Sequence, residues 1–256
     1  MLILLATLIF FTRLPFWRLT DVPAEDFKRV VPRWPLVGWL TGGLMALTIW
    51  LSSHFLPLTV AWILALVVRL VLTGCLHEDG LADFIDGFGG GTTRERTLAI
   101  MKDSHIGTYG VIGLIVYFAL LLQLPSELSR DTLMLVVLCG DCWAKCCAAQ
   151  LINFLPYART EETAKNKTVY ERMKLPELLL CFFFGLAPAF LYTFALGWLP
   201  LRFLLLMLVP LVVLALMTWL MRRRIQGYTG DCCGATFLLC ELFLYLAVLV
   251  DFPHWI

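Results

Sequence analysis

The sequence predicts an all-α fold, a polytopic transmembrane helix bundle of about seven to eight membrane segments. Three observations predict it. The chain is 60% hydrophobic with a mean hydropathy of +0.83, well past the roughly half-apolar composition of soluble domains. Seven apolar runs are long enough, at 1.5 Å per residue, to cross a hydrocarbon core about 30 Å thick. The basic residues alternate: 16 of the 20 fall in four loops, and only two in the turns between those loops.

Taken in order, the runs cover residues 35–53, 56–76, 108–124, 132–155, 177–199, 203–221 and 234–252. An eighth, 1–11, is apolar but short. It has no basic segment before it and no A-x-A pattern after it, so it reads as a short or half-embedded first helix rather than a cleaved leader. The basic loops are 12–34, 78–107, 156–176 and 222–233, and the positive-inside rule places them in the cytoplasm. No second domain, repeat or low-complexity stretch interrupts residues 1–256, which form one integral-membrane domain. Nine cysteines, an odd number, mostly within the runs, suit small packing residues at helix contacts rather than disulfides. Cys232 and Cys233 fall at a loop edge, where they are open to reaction. The formal charge of +1 offers no basic surface for nucleic acid, so the expected partners are the bilayer and small anionic substrates. A homo-oligomer is compatible with the sequence.

One stretch stands against this greasy background: H-E-D-G-L-A-D-F-I-D-G-F-G-G-G, residues 77–91. It has no proline, and Leu81, Phe84, Ile85 and Phe88 recur at helical spacing, so the helix of run 56–76 is expected to continue through it. Asp79, Asp83 and Asp86 then fall at i, i+4 and i+7, on a stripe about 60° wide. Like charges so aligned repel, and more strongly where the dielectric is low. A hard cation offsets that repulsion, and Mg²⁺ characteristically takes one or two carboxylates plus waters and substrate phosphates. The bland reading is a solvated acidic helix end.

Two further segments carry related chemistry. Lys102, Asp103, Ser104 and His105 precede a run, offering a cation, an acid and a hydroxyl. Arg222, Arg223 and Arg224, followed by Thr229 and Asp231, combine cations suited to phosphate with a carboxylate. The arginines read equally as a membrane anchor, and Asp231 as an N-cap. Within the runs, Arg69, Asp141, Lys145 and Glu241 need partners. Asp141 and Lys145 at i, i+4 form the simplest pair, and Lys145 could alternatively meet a phosphate. His77 could serve as a general base or hold a carboxylate. Together these residues suit phosphoryl transfer, in which catalysis is chiefly positioning and charge neutralisation.

These residues resemble those of the cobalamin synthase family. The acidic stretch matches its signature as His77-x-Asp79-Gly80-Leu81-Ala82-Asp83-x-x-Asp86-Gly87. Phe10-Phe11-Thr12-Arg13-Leu14-Pro15, Pro35-Leu36-Val37-Gly38, residues 100–107 and Tyr228-Thr229-Gly230-Asp231-Cys232-Cys233-Gly234-Ala235 are similar to its other motifs. The resemblance implies an Mg²⁺-dependent enzyme of the bacterial inner membrane, acting from the cytoplasmic face. It would join a nucleotide-activated corrinoid, adenosylcobinamide-GDP, to α-ribazole or its 5′-phosphate and release GMP. On this footing Asp79, Asp83 and Asp86 are the expected metal ligands. Asp103 and Asp231 are further ligands or the base, and Lys102 and the three arginines hold phosphate. Ser104, Lys145 and Thr229 complete the expected substrate contacts, and His77 the catalytic set. The chain departs from the family at Ala144-Lys145, where Ser-Arg is common, at Gln226, where glycine is usual, and at Leu238. A CDP-alcohol phosphatidyltransferase-like enzyme would show D-G-x-x-A-R, which Ala82-Asp83 breaks. A divalent-cation transporter would want polar residues stepped through the membrane rather than clustered on one face.

Overall fold

The N-terminal run forms a 10-residue helix, α1 (Leu2–Phe11), in the computed structural model, which describes residues 2–159, 169–196 and 207–250. The ends of the expected runs at 197–199, 203–206 and 251–252, with Lys165 and Lys167, lie outside those residues. After α1 the chain passes through short 3-10 turns into α2 (Trp34–Ser52), which opens with Pro35 in its first turn, where a missing N–H costs nothing. Next come α3 (Leu58–Thr73) and α4 (Leu76–Gly90), the amphipathic α5 (Arg94–Lys102), α6 (Thr108–Leu121) and the single turn α7 (Leu124–Glu127). The central α8 (Arg130–Ala149) runs into the turn α9 (Leu151–Phe154). The chain then forms α10 (Leu175–Leu196), α11 (Val209–Arg224) and α12 (Gly230–Leu249).

The described residues thus form an all-helical bundle. Four helical stretches are long and apolar enough to cross a membrane, or five if the bent pair α3–α4 counts as one; α1 and residues 175–191 are apolar but shorter. Val71, Phe183, Leu216 and Trp219 are exposed on the bundle's flanks, an arrangement that water would penalise and lipid accommodates.

The expected continuous helix from 56 through 88 is not what forms. Gly74 (φ 63°) and Cys75 (φ 57°) both adopt the left-handed conformation, and α4 leaves α3 at 87°. Glycine takes that conformation freely, whereas at Cys75 it costs about 1–2 kcal/mol. The break is held from outside: the Arg13 amide donates to the Leu72 carbonyl at 2.7 Å, and a side chain at residue 74 would overlap Arg13.

Small residues bring the helices close. A Cβ at Gly38 on α2 would stand 2.8 Å from the Cα of Cys142, and one at Gly185 on α10 would stand 2.6 Å from the Cβ of Cys146. All nine cysteines are free thiols, and eight are buried. Cys232 and Cys233, expected at a loop edge, are among the buried ones because they face inward from the first turn of α12. The charges inside the bundle are matched by one another. Asp141 pairs with Lys145, and Thr41 bonds both. Arg69 bonds Glu241 at 2.6 Å and the Tyr117 hydroxyl at 3.0 Å, while Tyr245 donates to Glu241 at 2.8 Å.

Candidate functional site

Two glycines decide where the acidic helix meets the rest of the bundle. A Cβ at Gly80 would stand 3.0 Å from the carbonyl oxygen of Asp231, and one at Gly234 would stand 3.3 Å from the Cα of His77. With no side chain at either position, the first turns of α4 and α12 touch backbone to backbone. Two helix N-termini therefore converge, each carrying unpaired N–H groups and a partial positive charge that favours anions. Thr229 caps α12, its hydroxyl accepting from the Cys232 amide at 3.4 Å and donating to Asp231 at 3.3 Å, which is the N-cap geometry the sequence suggests.

Asp79 and Asp231 line one cavity of about 130 Å³ at this junction. Asp79 is exposed to it, whereas Asp83, one turn along α4, is nearly buried. Asp86 is held away from the cavity. Its two carboxylate oxygens accept the backbone amides of Gly107 at 2.7 Å and Gly110 at 2.9 Å, so it caps the start of α6. A side chain at either glycine would collide with that carboxylate. Among the described residues, no group of three or more His, Cys, Asp or Glu is arranged to hold a metal ion by itself. The aligned stripe is thus divided: Asp79 lines the cavity, Asp83 is buried away from its lining, and Asp86 is engaged in structure.

The other expected residues also separate. His77 lines the cavity, 2% exposed, with neither ring nitrogen hydrogen-bonded among the described residues, so it holds no carboxylate. Lys102, Asp103 and Ser104 are exposed and lie off the cavity. The Asp103 carboxylate is held below its ordinary range by the backbone amide and ring of His105. Lys145 is fully buried, bonded to Asp141 and Thr41 and lying 4.2 Å from the Phe237 ring centroid, so it meets no phosphate here. None of the three arginines lines the cavity. Arg224 donates to the Phe88 and Gly91 carbonyls at 3.3 and 2.6 Å, capping the end of α4; Arg222 reaches the Phe154 carbonyl and Arg223 lies over Trp219. Their work here is on backbone and aromatic groups of the protein itself.

The remaining wall was not singled out by sequence reasoning. Phe10, Phe11, Trp34, Tyr157, Arg159 and Tyr170 line the same cavity. Phe10 and Phe11 belong to a motif that signalled the family without a stated role, and Arg159 was one of many loop cations. Tyr157 is drawn in by a backbone clip: the Ala158 amide donates to the Tyr228 carbonyl at 2.8 Å, and the Tyr228 amide to the Pro156 carbonyl at 3.0 Å. This ties the 156–159 segment to the approach of α12. Gln226, just before it, sits at φ 56°, a left-handed conformation that glycine adopts more freely.

Comparison with known proteins agrees with the motifs. Residues 3–249 match the family described as Cobalamin-5-phosphate synthase. The chain is 36% identical to the adenosylcobinamide-GDP ribazoletransferase of Shewanella sp. (strain W3-18-1), over 94% of this chain and 91% of that protein. It is 37% identical to the protein of the same name from Shewanella oneidensis, at the same coverage, and 38% to that of Shewanella woodyi, over 94% and 92%. No solved structure matches the chain. With the match running almost end to end and the acidic helix intact, this chain belongs to the cobalamin-5-phosphate synthase family.

Proposed function

We propose that this chain joins adenosylcobinamide-GDP to α-ribazole, or to its 5′-phosphate, with release of GMP and in dependence on Mg²⁺. It would do so as a multi-pass protein of the bacterial plasma membrane, with the site facing the cytoplasm. The name shared by the relatives supports the coarse reaction. The observation that carries the finer reading is that Asp79 and Asp231, from two converging helix N-termini, line one cavity. Such a junction suits a diphosphate: amide dipoles receive its oxygens, and the carboxylates lie beside it.

An Mg²⁺ ion asks for only one or two protein carboxylates, the rest being water and phosphate oxygen. The donors lining the cavity fit that demand: Asp79 would hold it, with Asp231 across the cavity and Asp83 one turn behind along α4. When bound, it supplies charge neutralisation to the diphosphate and to departing GMP. In the step itself, the ribose hydroxyl bonds to the cobinamide-side phosphorus, and the bond from that phosphorus to the bridging oxygen breaks. GMP carries away the electron pair. Asp231 takes the hydroxyl proton in this reading. The crossing at Gly80 and Gly234 does the positioning.

The test is GMP release by the purified protein in lipid nanodiscs, given adenosylcobinamide-GDP and α-ribazole, with Mg²⁺ or with EDTA. Turnover that EDTA abolishes and Mg²⁺ restores is expected. Cation flux across vesicles without GMP release would replace the reading with transport. Asp83→Asn should stay inserted and folded yet lose most turnover; full activity in that variant would remove Asp83 from the metal site.

A further inference from the structure

Two carboxylates, Asp79 and Asp231, line a cavity whose proposed substrates are themselves anions. Like charges repel more strongly where water is scarce, so the wall needs a cation as well. Among the described residues, Arg159 is the one Lys or Arg in that wall. A reciprocal tie to α5 holds it there. The Arg159 Nη2 donates to the Leu98 carbonyl of α5 at 2.8 Å. In return Arg94, which opens α5, donates from Nε to the Ile225 carbonyl and from Nη2 to the Ala158 carbonyl, both at 2.9 Å. Those carbonyls lie one on each side of the clip that joins residues 156–158 to Tyr228. Arg94 thus fastens both sides of the clip to α5, and Arg159 follows directly on the side it grips. With the backbone already fixed in this way, the Arg159 bond to Leu98 aims a guanidinium rather than holding the chain.

We propose that Arg159 receives a phosphate group of the substrates in this cavity, and that Arg94 is the positioning residue that sets it there. Resting on the function proposed above, this assignment supplies the cation of that site. A guanidinium carries five N–H donors in a planar fork. Among the described residues that of Arg159 makes one hydrogen bond, to Leu98. The donors that remain suit two oxygens of one phosphate. Arg159 is also only half-buried. Arg69 and Lys145 differ on this point, since their charges are closed inside the bundle on Glu241 and Asp141. Arg222, Arg223 and Arg224 differ as well, because none of them lines the cavity. Two groups have the matching chemistry: the diphosphate of adenosylcobinamide-GDP and the 5′-phosphate of the phosphorylated acceptor. They are told apart by which substrate loses affinity when Arg159 is neutralised.

The experiment uses the full chain in nanodiscs and compares wild type, Arg159→Gln, Arg94→Gln and the double variant, with thermal unfolding as the check on folding. Calorimetry reads the binding of adenosylcobinamide-GDP, α-ribazole 5′-phosphate and unphosphorylated α-ribazole, each alone with Mg²⁺ so that no product forms. GMP release then gives KM for each. In Arg159→Gln the phosphate-bearing ligand that Arg159 holds should bind about tenfold more weakly or worse, the loss of a charged hydrogen-bond partner. Binding of α-ribazole should stay within about twofold. A loss confined to adenosylcobinamide-GDP assigns Arg159 to the diphosphate, and one confined to α-ribazole 5′-phosphate assigns it to the acceptor. Arg94→Gln should weaken the same ligand by about threefold and add nothing in the double variant, because it acts through Arg159. Full additivity of the two would overturn the positioning role. Unchanged binding of both phosphate ligands in Arg159→Gln overturns the proposal, as does an equal loss of α-ribazole. Should Arg159→Gln fail to fold, Arg159→Lys is read in its place, since it keeps the charge and loses the fork. About threefold weaker phosphate binding is then expected, and unchanged binding overturns the proposal. Wild-type GMP release with every KM unaltered in the variant removes Arg159 alone. Absent GMP release with phosphate binding weakened in the variant sinks the reaction reading and leaves Arg159 in place.

Discussion

Two polar regions of this bundle are built on opposite principles. Around α8 and α12 the buried charges answer one another: Asp141 with Lys145 and Thr41, Arg69 with Glu241 and Tyr117. Beside α4 the buried polar atoms of Trp34 and His77 have no partner among the described residues. Glu78 lies between the two regions, with only a 3.7 Å approach from Arg69. The contrast separates scaffold from site. Ionisable groups in an apolar bundle attract functional interpretation wherever they occur. Here the paired ones hold helices together, and the unpaired rings of Trp34 and His77 belong to residues of the cavity wall.

The comparison can be broken most forcefully at Arg69. Arg69→Met leaves Glu241 and Glu78 without a cation, and it should destabilise the bundle by about 3 kcal/mol or more. Thermal unfolding in detergent should show the loss. Adding Glu241→Leu should recover part of it; a double variant no better than the single would mean the pair is more than scaffold. The next contrast lies within the acidic stripe. Asp79→Asn should cut GMP release by about 100-fold or more with unfolding unchanged. Asp86→Asn, which weakens the bonds to the Gly107 and Gly110 amides, should instead cost about 1–3 kcal/mol of stability. Equal effects of the two on turnover at equal stability would restore the undivided stripe.

Smaller effects sharpen the picture at its edges. Gln226→Gly relieves a left-handed non-glycine residue and should stabilise the clip before α12 by about 1 kcal/mol, read as a raised unfolding temperature. Asp103, exposed and lowered by the His105 amide, should give the smallest response. Because its folded-state value is depressed, its contribution is complete above the ordinary 3.8 and fades as pH falls through the lower folded value. An NMR titration of its carboxyl should show a midpoint below 3.8; one at or above it would remove the turn with His105.

Much of this was legible in the sequence, for identifiable reasons. Composition and run length announced the helical bundle, and i, i+4 spacing foretold the Asp141–Lys145 pair. The motif around Asp231 pointed to a residue that lines the same cavity as Asp79. The break at Gly74 was not legible, since the apolar pattern runs through it without proline and the tie that holds it comes from Arg13, far back in the chain. Nor could spacing show which aligned aspartate would be taken by backbone amides, because Gly107 and Gly110 lie 21 and 24 residues downstream. Trp34 and Phe11 carried no contrast in a chain that is 13% aromatic. Arg224 reads alike whether it grips a phosphate or the carbonyls that end α4.

The right-angle turn between α3 and α4 has a geometric result. Had the helix run straight on, seven residues at 1.5 Å each would stagger Asp79 and Asp86 by about 10 Å along the α3 axis. Turned through 87°, the same residues stand nearly level when viewed along α3. The acidic helix thus lies across the end of α3, and its first aspartate reaches the cavity while its last anchors the start of α6 at the same depth.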